Sequence, residues 1–165
     1  MNTYFFDDNI NPETMNSLVE KLNSMEGEVD LWFTTEGGQT QSMEYLIHYL
    51  NSRKEEITVT VVDRLWSAGT LLLLDFEGKL KLGRVDTIMF HMWDRQRYPL
   101  RKWQGMSDDK IQKQDLENNL EMSKKLREKK ILNKKQIKKF LRGEDVTLYK
   151  KEIQKLKQIY ENNKN

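Results

Sequence analysis

A chain of 165 residues is long enough for one domain with a moderate core. Charged residues make up 33% of it, yet the formal sum is only +2, so no whole-chain field marks a nucleic-acid binder. Cysteine is absent and only two histidines, His48 and His91, are present, which excludes disulfides and argues against a multi-histidine metal site. No cofactor is expected. No stretch reaches the ~18 apolar residues of a membrane span, and residues 1–8 do not form a basic, apolar leader, so a cytoplasmic location is expected.

In chain order, residues 3–6 read as a short first strand. Asn11-Pro12 opens a helix, with asparagine as cap and proline at the first helical position, and Met15, Leu18, Val19, Leu22 and Met25 form one apolar stripe. Gly27 closes it. Residues 29–34 are the next strand, running into Thr35-Glu36-Gly37-Gly38. A second helix over about 40–52 carries Met43, Leu46, Ile47 and Leu50 on one face, with His48 roughly opposite and therefore solvated. Ile57-Thr58-Val59-Thr60-Val61-Val62 is β-branched throughout and reads as a buried central strand. It leads through Asp63-Arg64-Leu65-Trp66 to Ser67-Ala68-Gly69-Thr70 and a leucine helix that ends near Gly78. Residues 80–82 and 86–91 read as two further strands. Strands alternating with helices over short loops imply βαβ units and a largely parallel sheet.

After His91 the character changes. Residues 92–106 mix Trp93, Tyr98 and Trp103 with Arg95, Arg97, Arg101 and Lys102. Ser107-Asp108-Asp109 caps a long helix to about residue 130, whose sparse apolar residues suggest that it projects and gains burial from a partner chain. Asn133 starts another helix, stopped by Gly143. Residues 144–148 form a short extended piece, and residues 149–161 a last helix. Ten Lys/Arg and one acid, Glu128, lie between residues 124 and 142, a run that reads as a solvated face in preference to a grip for nucleic acid or an acidic partner.

Three features carry candidate chemistry. Ser67 lies where a strand hands over to a helix, beside the unpaired N–H groups of a helix start, which suit a developing oxyanion. Ala68 and Gly69 are small enough to let a substrate carbonyl approach. Gly37-Gly38 ends a strand and can leave backbone N–H groups bare. His91 is expected at the end of another strand, and in a parallel sheet these ends share one rim. The plain alternatives are an N-cap serine, an ordinary strand–helix turn and a buried histidine satisfied by backbone.

Together these residues resemble the ClpP-type serine peptidases, the proteolytic subunits of the ATP-dependent caseinolytic protease. The family's strand-then-Gly-Gly stands here as Thr34-Thr35-Glu36-Gly37-Gly38, its Ser-x-Gly turn as Ser67-Ala68-Gly69, and its strand ending in histidine as Ile88-Met89-Phe90-His91. Gly38 and Ser67 are 29 residues apart and Ser67 and His91 are 24 apart, close to the family's spacing. The resemblance covers about residues 4–94 well and the remainder loosely. It implies an α/β fold of the ClpP/crotonase type. That fold has a βαβ-repeat core over 1–94, a projecting helical handle over 95–143, and an acid-bearing segment with a terminal helix over 144–165, all in one domain.

The resemblance further implies a serine endopeptidase acting through an acyl-enzyme. Ser67 would be the nucleophile, His91 the base and Asp145, with Glu144 adjoining it, the acid. Gly38 and Ala68 would form the oxyanion hole. Gly37, Gly38, Gln39, Thr40, Met92 and Trp93 would line an extended peptide. Implied partners are an unfolded protein or peptide substrate and further copies of the chain in a ring or stacked rings, with neither membrane nor nucleic acid expected. The chain starts where the family's first core strand starts, so dependence on an ATP-driven unfoldase is in question. Glu36 replaces the family's proline and Trp66 a small residue. An assembly subunit that does not cleave is therefore the second reading, and a crotonase-like acyl-CoA binder a third.

Overall fold

The computed structural model describes residues 2–93 and 108–162. The chain divides into two compact bodies, one of Met1–Met89 with Thr147–Asn165 and the other of Phe90–Val146. In the first, β1 (Asn2–Asp7), α1 (Pro12–Asn23), β2 (Val29–Thr35), α2 (Thr40–Ser52) and β3 (Ile57–Trp66) follow one another as two βαβ units. A 3-10 turn, Ser67–Thr70, then leads into α3 (Leu71–Asp75) and β4 (Lys79–Phe90). With β5 (Val146–Leu148) the strands form a five-stranded sheet in the order β1-β2-β3-β4-β5, and the pairs from β1 to β4 are all parallel. The chain is thus an α/β protein with a mostly parallel sheet.

Local chemistry accounts for the elements. Asn11 caps α1 by accepting from the Thr14 N–H at 3.0 Å, while the Thr14 hydroxyl accepts from the Asn11 N–H at 3.2 Å, and Pro12 occupies the first turn. The stripe Met15, Leu18, Val19 and Leu22 is buried, as is Met43, Leu46, Ile47 and Leu50 on α2. Both crossovers in a 1-2-3 strand order place α1 and α2 on one side of the sheet. The strand residues of one face (Phe6, Leu31, Phe33, Val59, Val61, Leu80 and Leu82) are correspondingly buried. Phe6 and Phe33 stack there with centroids 5.0 Å apart. The opposite face bears Phe5 and Trp32, which are in register and 55% and 43% exposed. Beneath them the buried Asp30 carboxylate accepts from Thr60 Oγ1 at 2.7 Å and Trp32 Nε1 at 3.2 Å.

Two sequence expectations are corrected here. Residues 80–82 and 86–91 are not two strands but one, the 12-residue β4, which ends at Phe90 so that His91 follows it. Register shifts between β3 and β4 absorb the polar interruption at Gly83-Arg84 without breaking the pairing. Residues 67–70 form a 3-10 turn, and the leucine helix stops at Asp75 instead of near Gly78 because Phe76 is extended, at φ −79° and ψ 126°. The last helix, α6 (Lys150–Asn162), buries Ile153 and Leu156. Its Tyr160 hydroxyl donates to the Leu73 carbonyl at 2.6 Å, and burial pushes that phenol above its ordinary pKa.

The second body holds α4 (Asp108–Glu128) and α5 (Lys134–Leu141). Met122, Leu126, Ile131, Leu132 and Phe140 are buried. Asn133 caps α5, accepting from the N–H groups of Lys135 at 2.9 Å and Gln136 at 3.0 Å. The α4 helix buries Asp115, Asn119, Met122, Ser123 and Leu126 within the chain itself. Its apolar pattern looked poor because three of those five are polar, and Asn119 is satisfied by backbone. Leu116 and Leu120 remain 54% and 50% exposed. The expected cap Ser107, the aromatic–basic stretch 94–106 and the last residues, 163–165, lie outside the described residues. Among the described residues no helix is long and apolar enough to cross a membrane.

Phe33→Ala is expected to lower unfolding free energy by about 3–5 kcal/mol, and Phe5→Ala by under about 1 kcal/mol, when both are measured by urea denaturation.

Candidate functional site

Ser67 is the first residue after β3 and sits at φ 53°, in the left-handed region that non-glycine residues rarely enter. Its position follows from a bulge. The β2–β3 register runs Phe33↔Val61 and then Thr35↔Leu65, so β3 spends two more residues than β2 over this stretch, with Asp63 at φ 55° inside it. The Thr34 hydroxyl repairs the interrupted ladder, donating to the Arg64 carbonyl at 3.1 Å and accepting from the Arg64 N–H at 3.3 Å. Two residues past the Thr35↔Leu65 pair, Gly37 stands against Ser67.

The fit between these two turns is close. A Cβ on Gly37 would lie 2.5 Å from Ser67 Cβ and 3.1 Å from Ser67 Oγ, and Gly37 itself is at φ 103°. A Cβ on Gly69 would lie 2.5 Å from Thr35 Cγ2. The expectation that Gly69 clears a path for substrate is therefore corrected: its lack of a side chain makes room for the Thr35 methyl. Thr35 Oγ1 donates to the Asp8 carbonyl at 2.8 Å and accepts from the Gly37 N–H at 3.0 Å. Thr34 and Thr35 were not singled out from sequence; their one signal was a pair of hydroxyls ending an apolar strand.

Gly38 forms a parallel bridge with Ile10, in which the Ile10 N–H donates to the Gly37 carbonyl and the Gln39 N–H to the Ile10 carbonyl, each at 2.8 Å. A Cβ on Gly38 would lie 2.1 Å from the Ile10 oxygen. The chain thus fills one side of this edge itself. In a parallel bridge the Gly38 N–H points away from Ile10, and it has no acceptor among the described residues. Ala68, the second residue of the 3-10 turn, has an N–H that precedes the first i→i+3 bond. Thr40 is the first residue of α2 and is half-buried.

Arg64 is the cation that the carboxylates around the turns share. Its guanidinium pairs with Asp63, with Asp7 at 3.3 Å and with Glu36 at 3.4 Å. The Glu36 contact, made by Arg64 Nε, is an ion-pair approach that does not reach hydrogen-bond geometry, since that Nε has no hydrogen-bond partner. Trp66 lays its indole along β4, donating from Nε1 to Thr87 Oγ1 at 2.9 Å.

The first body therefore brings together Ser67, Ala68, Gly37 and Gly38. The β3–β4 register ends at Trp66↔Met89, one residue before Ser67 and two before His91. His91, Met92 and Trp93 belong to the second body, as does Asp145. There the Asn119 side chain accepts from the Trp93 N–H at 2.8 Å and donates to the Trp93 carbonyl at 3.0 Å, occupying the main chain of one proposed peptide-lining residue. Asp145 is exposed in the turn before β5, while its neighbour Glu144 is paired with Arg142 at 3.0 Å. His48 is exposed. Among the described residues no group of three or more His, Asp or Glu is arranged to hold a metal ion.

Gly69→Ala is expected to destabilise the fold by about 2 kcal/mol or more, because Thr35 is β-branched and cannot swing aside. Thr35→Ser removes the opposing methyl, so the double variant should recover part of that loss in a urea-unfolding cycle. Gly27→Ala, at φ 75° with nothing within 4 Å of the new Cβ, should cost only its backbone strain, about 1 kcal/mol.

Comparison with protein-family models and with curated proteins finds no match to this chain.

Proposed function

We propose that the chain is a ClpP-like serine endopeptidase. The observation that carries this reading is Ser67 itself, a serine held in the left-handed conformation at a strand-to-helix junction and packed on Gly37. The N–H groups of Ala68 and Gly38 lie on the two adjoining turns. A strained serine at such a turn presents its hydroxyl outward, and backbone donors at a helix start stabilise the oxyanion that its attack creates.

In this reading Ser67 Oγ adds to the scissile carbonyl while His91 takes its proton. The tetrahedral oxyanion rests on the Gly38 and Ala68 N–H groups. It collapses to an acyl-enzyme as the amine leaves with the proton from His91, and water, deprotonated by the same imidazole, then releases the acid. Asp145 orients the imidazole; the Arg142 pairing of Glu144 favours Asp145 over its neighbour. The pairing of Glu36 with Arg64 and the Thr87 anchor on the Trp66 indole support a site that those two unusual residues do not disable. The exposed Leu116 and Leu120, one turn apart on α4, fit association with further copies of the chain.

A fluorophosphonate probe is expected to add covalently to Ser67 in the native chain, as read by peptide mass, and not to label Ser67→Ala. Equal labelling of the two would overturn the assignment. His91→Ala should slow labelling by roughly 10²-fold or more, and Asp145→Asn should slow it far more than Glu144→Gln. Glu36→Gln should change the labelling rate by less than about 3-fold, since that carboxylate is solvent-facing and paired.

A further inference from the structure

The cation run of the second body is exposed on α5 and carries only one sign of charge there. On α5 and its C-cap, Lys134, Lys138 and Arg142 fall at i, i+4 and i+8, and Lys135 and Lys139 form a second row beside them. All five are exposed, and no acid lies between residues 134 and 142. A solvated helix normally alternates signs at this spacing; here each i, i+4 pair in the two rows is like-charged and repulsive. Lys134 and Lys135 also sit in the first turn, where the helix dipole disfavours cations. Arg142 reaches Glu144 at 3.0 Å, but the four lysines make no ion pair among the described residues. The run from 124 to 142 holds ten Lys/Arg against Glu128 in a chain whose formal charge is +2, so the remainder is net acidic.

We infer that this face of α5 binds the phosphate backbone of nucleic acid, without reading sequence. Local repulsion that the fold leaves uncompensated is relieved by a polyanion whose charges repeat on a similar scale, about one per 1.7 Å of duplex axis against a helix ~12 Å long. The stripe is mostly lysine, which is depleted at protein–protein interfaces, and it has no aromatic anchor of the kind such interfaces use. A membrane surface is the poorer fit because insertion needs a free apolar face. Phe140, on the opposite side of α5, is 0% exposed, and Leu141, at 38%, is the one exposed apolar residue of the helix, too little for insertion. With no aromatic in the stripe for base stacking, the contacts are to phosphates alone. This binding is independent of the peptidase reading, and Ser67→Ala should leave it unchanged.

The test is fluorescence anisotropy of the full chain with a labelled, arbitrary-sequence DNA duplex of about 20 base pairs. With the four lysines each engaging one phosphate, affinity is expected to fall with a log–log salt slope of about −3.6, roughly 150-fold between 50 and 200 mM salt. Changing Lys134, Lys135, Lys138 and Lys139 together to Gln, a comparable helix former, should leave a slope near zero, with circular dichroism confirming that the helix persists. The milder Lys135→Gln/Lys139→Gln variant should fall between. Changing Lys21, Lys79, Lys81 and Lys151 to Gln removes the same charge elsewhere and should shift affinity less than about 3-fold. No binding at about 100 μM protein in 50 mM salt would overturn the proposal. So would equal binding by the α5 and control variants, or tighter binding to phosphatidylserine vesicles or poly-glutamate than to the duplex.

Discussion

The arrangement of the first body depends on a slip in register between two neighbouring strands. Over the bulge at Asp63, β3 uses two residues more than β2, and the Thr34 hydroxyl takes over the backbone bonds that the slip would leave open. Without the slip Gly37 would stand opposite Leu65, and Ser67 would stand opposite Gln39, four residues beyond the end of β2. With it, two turns meet at a distance that tolerates no Cβ on Gly37 and none on Gly69. The left-handed Ser67 is held by that fit, as strained residues are held where the surroundings over-determine them.

Electrostatics in the two bodies follow opposite rules. Beside Ser67, four charges lie at the ends of adjacent strands, and a single guanidinium serves three carboxylates, Asp7, Glu36 and Asp63. Arginine suits that duty because its planar fork presents donors in several directions at once. On α5 the four lysines have no such partner among the described residues. Opposite charges are paired near the candidate site, while like charges stand together on the basic face of α5.

Much of this was legible from residue patterns. The cap at Asn11-Pro12, the two amphipathic stripes and the β-branched run at 57–62 each encode their element locally, and they hold except that Met25 falls past the end of α1 and is half-buried. Where the reading failed, the cause was non-local. The polar break at Gly83-Arg84 looked like a strand end because pairing with β3 cannot be seen from β4 alone. The α4 helix looked unfit for burial because Asn119 gains its place from two hydrogen bonds to Trp93, a partner 26 residues away. Gly69 looked like space for a substrate, whereas a methyl from another strand occupies it.

From its order of residues alone the chain specified an alternation of strands and helices, a parallel core and a serine at a strand-to-helix handover. These depend on periodicity, capping and β-branching, which act within a few residues. The tertiary structure decided the register of β2 on β3, the left-handed backbone at Ser67, the pairing of Glu36 with Arg64 and the occupation of the Gly38 edge by Ile10. Each of these is a contact between residues distant along the chain. Its energy depends on packing against a specific neighbour, and no local propensity encodes that neighbour's position.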